Sequence, residues 1–238
     1  MLEAFGIPVY VNLSFAFLLL LLVMDFGSFS SGIAVAIVLA ASITLHELGH
    51  ALTARAFGYP TREITLSLLG GCASLSSFPR KATQELLTAL AGPIVSFAIS
   101  AVVWIFLAIV PVSNHWLLGI FIYAFWMNIT LGLFNLLPGF PMDGGRIFRS
   151  AMRAFMSRAQ ATFVAMWVGR VVAVLLGLRG LWSILNSGSW GFISLMIAWM
   201  IWKEGYREYL QARAEEDLSR WTQDDFNARV SPPPYERD

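Results

Sequence analysis

His46, Glu47 and His50 stand in the spacing His-Glu-x-x-His. On a helix, residues four apart share one face, so the two imidazoles can grip a single metal ion. The carboxylate between them points near the same side, where it can take a proton from a water that the ion activates. The chemistry that such a set performs is metal-assisted hydrolysis. Its surroundings narrow the reading further, because the motif lies inside a long apolar run. Three ionisable side chains in hydrocarbon are costly unless they serve a site. The residues therefore suggest a zinc peptidase that works within a membrane.

Catalytic zinc usually takes three protein ligands and leaves one position for water. The chain has three His and one Cys. His115 opens a later span at the opposite membrane face and cannot reach the other two. Cys72 reads as a small packing residue, and a single cysteine excludes both an internal disulfide and a Cys-rich zinc site. A carboxylate must complete the set. Glu63 and Glu85 lie in or beside the loop after the motif, and Asp143 lies in the segment 135–145. That segment has its own logic. Pro138 and Pro141 remove two amide donors and break the helix, while Gly139, Gly144 and Gly145 let the broken backbone approach a neighbour. Irregular backbone at membrane depth survives only where protein or a water-filled cavity covers it. An aspartate set in such a break can face the two His.

The elements that must carry these residues are spans. Of the 238 residues 57 % are hydrophobic and only 13 % charged, against about 25 % charged in soluble domains. The fold class expected is an all-α polytopic membrane protein of about six transmembrane helices. A spanning helix needs about 20 apolar residues, which places spans near 9–25, 32–57, 82–111, 115–137, 166–186 and 189–204. The first reads as a retained span and not a signal peptide, since no basic n-region or cleavage pattern accompanies it. Under this topology Arg55, Arg62, Lys81, Arg146, Arg153 and Lys203 share one face with the other cytoplasmic-side cations, and the opposite connections carry no Lys or Arg. The positive-inside rule then puts both termini in the cytoplasm. Arg170, near that mouth of the fifth span, can snorkel, and Arg179 is deeper, its guanidinium expected to meet carbonyls or water, with a role on the substrate path as the alternative. A transmembrane domain over 1–206, with its catalytic core at about 32–157, is followed by a polar cytoplasmic tail, 207–238, expected to be partly disordered. The formal charge of +1 and the lack of a basic stripe argue against nucleic acid.

Between the second and third spans, Glu63 to Leu69 alternates polar and apolar residues, Gly70-Gly71 offers a turn, and Cys72 to Ser77 alternates back. Two short strands about Gly-Gly make a β-hairpin. An exposed strand edge can pair with an unwound peptide and hold it extended.

His46-Glu47-x-x-His50, Gly70-Gly71, Ala91-Gly92-Pro93 and Asn135-x-x-Pro138-x-x-Pro141-x-Asp143-Gly144 together resemble the site-2 protease family of intramembrane zinc metalloproteases. The likeness covers roughly residues 40–150, in the compact form without a PDZ or CBS domain. It implies that His46, His50 and Asp143 bind Zn2+, that Glu47 is the general base, and that Asn135 helps hold the substrate carbonyl or oxyanion. Residues 62–78 would be a membrane-embedded hairpin. Ser96 stands where the family often has Asn, a departure expected to touch no ligand. Substrates would be single-span membrane proteins, some trimmed beforehand by another protease, in regulated intramembrane proteolysis. The setting would be a bacterial or archaeal plasma membrane, with a homo-oligomer left open. Two other readings stand beside this one: a membrane zinc peptidase of another class with Glu85 as third ligand, and a non-enzymatic metal transporter or scaffold.

Overall fold

The computed structural model describes residues 2–25, 28–67, 70–75, 79, 81–186 and 191–230. Two compact units divide the chain, one of residues 1–137 with 142–147, the other of residues 138–141 with 148–238. The first holds β1 (Leu2–Ala4), β2 (Ile7–Val11), α1 (Leu13–Asp25), α2 (Phe29–Ala56), β3 (Thr61–Ser67), β4 (Gly70–Leu75), α3 (Ala82–Ile109), α4 (His115–Asn135) and the first turn of α5 (Asp143–Met152). The second holds the rest of α5, α6 (Arg158–Leu185) and α7 (Gly191–Val230).

Among the described residues, α2, α3, α4 and α6 are long and apolar enough to cross a membrane. Each exceeds the roughly 20 residues that a 30 Å hydrocarbon layer demands. The chain is thus a multi-pass membrane protein of mostly helical build. α1 is shorter, with 13 residues, and α7 is apolar only until Trp202, where Lys203 and Glu204 begin its polar part. The helix over the expected first span starts at Leu13 and not at residue 9, because Ile7–Val11 is a strand. α6 starts at Arg158, eight residues before the expected 166, on a capping box: Ser157 Oγ accepts from the Gln160 amide, and the Gln160 side chain accepts from the Ser157 amide.

The hairpin expected after α2 is half of a larger sheet, of order β1-β2-β3-β4. β3 and β4 pair antiparallel, with Thr65 opposite Cys72 and Ser67 opposite Gly70. Gly70-Gly71 therefore opens β4 and does not form the turn; Gly70 sits at φ 114°, a conformation that glycine adopts readily. The turn residues 68 and 69 and the expected strand end 76–78 lie outside the described residues, as do the connection 187–190 and the tail 231–238. β1 and β2 form a second antiparallel hairpin about Phe5-Gly6, both at positive φ, the backbone of a type I′ turn. β2 then pairs parallel to β3, with Val9 opposite Ile64. Parallel neighbours need a long crossover, which α1 and α2 supply by going out and coming back. Ile7, Val9, Ile64 and Leu66 are buried with Phe15 of α1 and Leu39, Ile43, Leu48 and Ala51 of α2. This core seats the sheet on α2, the helix that carries the His-Glu-x-x-His motif.

In the second unit α6 and α7 lie along each other. Gly139 and Gly169 meet backbone to backbone; a Cβ on Gly139 would stand 3.1 Å from the Gly169 Cα. Phe140 is fully buried and takes the Arg149 guanidinium over its ring at 4.9 Å. Arg149, expected as a charge at the membrane face, is only 2 % exposed and donates to Glu208 of α7 at 2.8 Å. Arg179 donates to Ser194 Oγ at 3.1 Å, in keeping with a packed guanidinium. The polar residues from 207 onward continue α7 to Val230.

Candidate metal centre

α2 delivers His46, Glu47 and His50, all buried, to a point where α3 passes closely. The approach rests on small residues. A Cβ on Gly49 would meet the Ala91 carbonyl oxygen at 2.9 Å, and a Cβ on Gly92 would collide with the Nε2 atoms of both histidines. Gly92 therefore leaves open the space in front of the two imidazoles. Pro93 follows within α3 and removes the amide that would bond the Ala89 carbonyl, yet the helix continues to Ile109.

The break after α4 brings the third group. α4 ends at Asn135, ahead of Pro138, and α5 begins at Asp143. Gly144 makes the tight start possible, since a Cβ there would strike the carbonyl oxygens of Leu136 and Leu137. Asp143 Oδ2 then lies 3.1 Å from His46 Nε2 and 3.1 Å from His50 Nε2. Among the described residues this trio is the only set of three or more His, Cys, Asp or Glu whose ligand atoms converge, all within 4.8 Å. Glu85, the alternative third ligand, is buried in the first turn of α3 and is not among the converging donors, nor is Glu63 on β3. His115 is exposed at the start of α4.

The far nitrogens of both rings are held. His50 Nδ1 donates to the Thr88 carbonyl at 2.7 Å. A carbonyl only accepts, so neutral His50 carries its proton on Nδ1 and aims the Nε2 lone pair at Asp143. His46 Nδ1 is 2.9 Å from Ser96 Oγ. The expectation that Ser96 touches no ligand is corrected here: it orients one of the two imidazoles, and its own burial is complete. The His50 Nε2 lone pair, and that of His46 when Ser96 accepts from its Nδ1, face a carboxylate oxygen at 3.1 Å and make an acceptor set that a cation satisfies. Zinc with ligands at about 2.0–2.1 Å holds its donors about 3.3 Å apart, close to the 3.1 Å from Asp143 Oδ2 to each Nε2. The donor chemistry, the held Nδ1 atoms and the space kept by Gly92 all fit that ion.

Glu47 sits beside this set under the sheet. A Cβ on Gly71 of β4 would run into the Glu47 side chain, so the strand lies directly against the carboxylate. Asn135 is the last residue of α4, and its Nδ2 donates to the Leu131 carbonyl one turn back at 3.0 Å. One of its two N–H groups is thus engaged, and the other has no partner among the described residues.

A model of peptidase family M50 matches residues 34–115 and 111–178. The protein sll0528 of Synechocystis sp. is 32 % identical over 96 % of this chain and 64 % of its own length. The zinc metalloprotease MJ0392 of Methanocaldococcus jannaschii is 33 % identical over 75 % of this chain and 52 % of its own. The chain thus spans between half and two thirds of the length of these relatives. Among solved structures, a site-2 protease from Methanocaldococcus jannaschii superposes with a TM-score of 0.65 at 28 % identity, covering 88 % of this chain and 94 % of that one. The chain belongs to peptidase family M50, the site-2 protease family that its motifs resemble.

Proposed function

We propose that the protein is an intramembrane zinc metalloendopeptidase, hydrolysing peptide bonds within the membrane segments of single-span substrates. The observation that carries this reading is the buried meeting of His46 Nε2, His50 Nε2 and Asp143 Oδ2 with Glu47 beside them. His46, His50 and Asp143 would hold the ion, which when bound would supply Lewis-acid polarisation of the scissile carbonyl and a water of pKa lowered towards about 7.

The chain's own residues do the rest. Glu47 accepts the proton of the attacking water and passes it to the amide nitrogen as the C–N bond breaks. The remaining N–H of Asn135 steadies the carbonyl oxygen as charge builds there. Thr88 and Ser96 keep the imidazoles turned to the ion. β4 is an edge strand, and its contact with Glu47 through Gly71 places an extended peptide paired to that edge next to the base. A helical substrate must unwind first, so segments with helix-breaking residues are favoured. Six crossings, with α1 and the apolar start of α7 as the short ones, leave both termini in the cytoplasm under the positive-inside rule. The catalytic domain takes in residues 1–206, and the polar part beyond it is cytoplasmic.

The test is cleavage of a model single-span substrate by the full chain in detergent, with zinc counted on the same sample. Cleavage lost to a chelator and restored by zinc supports the reading. Undiminished cleavage by zinc-free protein would contradict it.

A further inference from the structure

Arg170 of α6 lies between two indoles, its guanidinium carbon 4.7 Å from the Trp167 ring centre and 4.7 Å from that of Trp202 on α7. Over two rings the cation is restrained and partly desolvated. Its Nε is buried without a hydrogen-bond partner, and no carboxylate or carbonyl among the described residues accepts from the guanidinium. The carboxylates that follow on α7 are engaged, Glu204 with Arg207 and Glu208 with Arg149. Directly beside the arginine runs an open groove of about 240 Å³, walled by Val171, Val174 and Leu175 with the two indoles at its head. Trp202 is the last apolar residue before α7 turns polar at Lys203, whose ammonium lies over Trp199 at 4.8 Å. Aromatic rings and cations at such a level mark the membrane–water interface.

We propose that this is a binding site for one anionic phospholipid of the adjoining leaflet. The phosphate accepts from the Arg170 guanidinium, whose planar fork suits two phosphate oxygens, and an acyl chain lies along Val171, Val174 and Leu175. Charge complementarity selects the anionic headgroup: a cation with no internal acceptor stands at the head of a hydrocarbon-lined groove. A zwitterionic headgroup brings its own ammonium to the same place and gains less. A free anion leaves the apolar wall uncovered. The lipid would tie α6 to α7 at the level where both leave the membrane.

The experiment uses the full chain in phosphatidylcholine nanodiscs carrying a small fixed fraction of brominated lipid, with tryptophan fluorescence read out. Brominated phosphatidylglycerol is expected to quench more than brominated phosphatidylcholine at equal fraction. The excess should vanish in Arg170→Gln and in the double variant Trp167→Phe/Trp202→Phe. Should Arg170→Gln fail to fold, the wild type and the double variant still decide. Equal quenching by the two lipids in the wild type overturns the proposal, as does an excess that survives either substitution. Glycerophosphate added in detergent is expected to leave the fluorescence unchanged; a saturable response that Arg170→Gln removes would make this a soluble-phosphate site and overturn the lipid.

Discussion

Two regions among the described residues bring buried polar groups together, and the two are built on opposite terms. In the second unit Arg149 meets Glu208 at 2.8 Å, a donor against an acceptor, and the pair is neutral without help from outside. At the metal centre, with both rings neutral and protonated on Nδ1, the groups that meet are acceptors: the two Nε2 lone pairs and a carboxylate oxygen. A buried ion pair is a packing device whose worth is lost when one partner goes. Converging lone pairs are unfavourable by themselves and become favourable around a cation. Burial and polarity are shared by both regions. The sign of what converges separates the structural pair from the reactive site.

Substitutions can break that contrast, and the largest effect falls at Gly92. Gly92→Ala would put a methyl group where the two Nε2 atoms look out. Bound zinc and cleavage should both drop to background while the helices persist, measured by metal analysis, substrate cleavage and circular dichroism. Next comes the ion pair. Arg149→Met leaves the partly exposed Glu208 carboxylate without this partner and should cost about 1–3 kcal/mol of stability, whereas Arg149→Met/Glu208→Leu should recover most of it. In both, zinc per folded molecule should match wild type; a loss of zinc there would erase the distinction between the regions.

A smaller change is expected at Ser96, which touches the metal centre only through His46 Nδ1. Ser96→Ala should weaken zinc affinity by about 10- to 100-fold and leave cleavage near wild type once zinc is saturating. The smallest effect is a pH dependence in the second unit, on the polar part of α7. Burial raises the pKa of Glu216, but hydrogen bonds from Ser157, the Ala159 amide and Arg220 outweigh it and hold the carboxyl below its ordinary value. A carboxyl whose folded pKa is depressed contributes stability above its unfolded pKa and loses it as pH falls through the folded one. Wild type should therefore lose more stability than Glu216→Gln on acidification below the ordinary glutamate range, as thermal midpoints across that range would record.

How far such features could be read in advance depended on where their signals lie in the chain. His46, Glu47 and His50 carry theirs in local spacing, and Asp143 carries its own in the Pro-Gly break around it, so the ligand candidates were legible. The acceptor for His50 was not, because a backbone carbonyl such as that of Thr88 has no signature in side-chain types. Ser96 was noticed as a departure from the family pattern, but its distance to His46 follows from the approach of α3 to α2. The strand Ile7–Val11 was hidden because its apolar residues run straight into α1 and because Phe5-Gly6 lacks the Asn or Asp usual in such turns. Arg149 and Glu208 are 59 residues apart in the chain, and nothing local announces their meeting. The early start of α6 was legible: Ser157-Arg158-Ala159-Gln160 has the capping-box spacing, and the hydropathy of the later residues drew the boundary inward instead.

The measurement that tests the central claim most directly is zinc content and substrate cleavage on the same samples of wild type, Glu47→Gln and Asp143→Ala. Glu47→Gln should keep its zinc and lose cleavage by about 10²- to 10⁴-fold, the scale of general-base catalysis. Asp143→Ala should lose the zinc itself. If Asp143→Ala retains zinc and cuts normally, the third ligand lies elsewhere; if Glu47→Gln cuts as well as wild type, α2 does not carry the chemistry and the account is wrong.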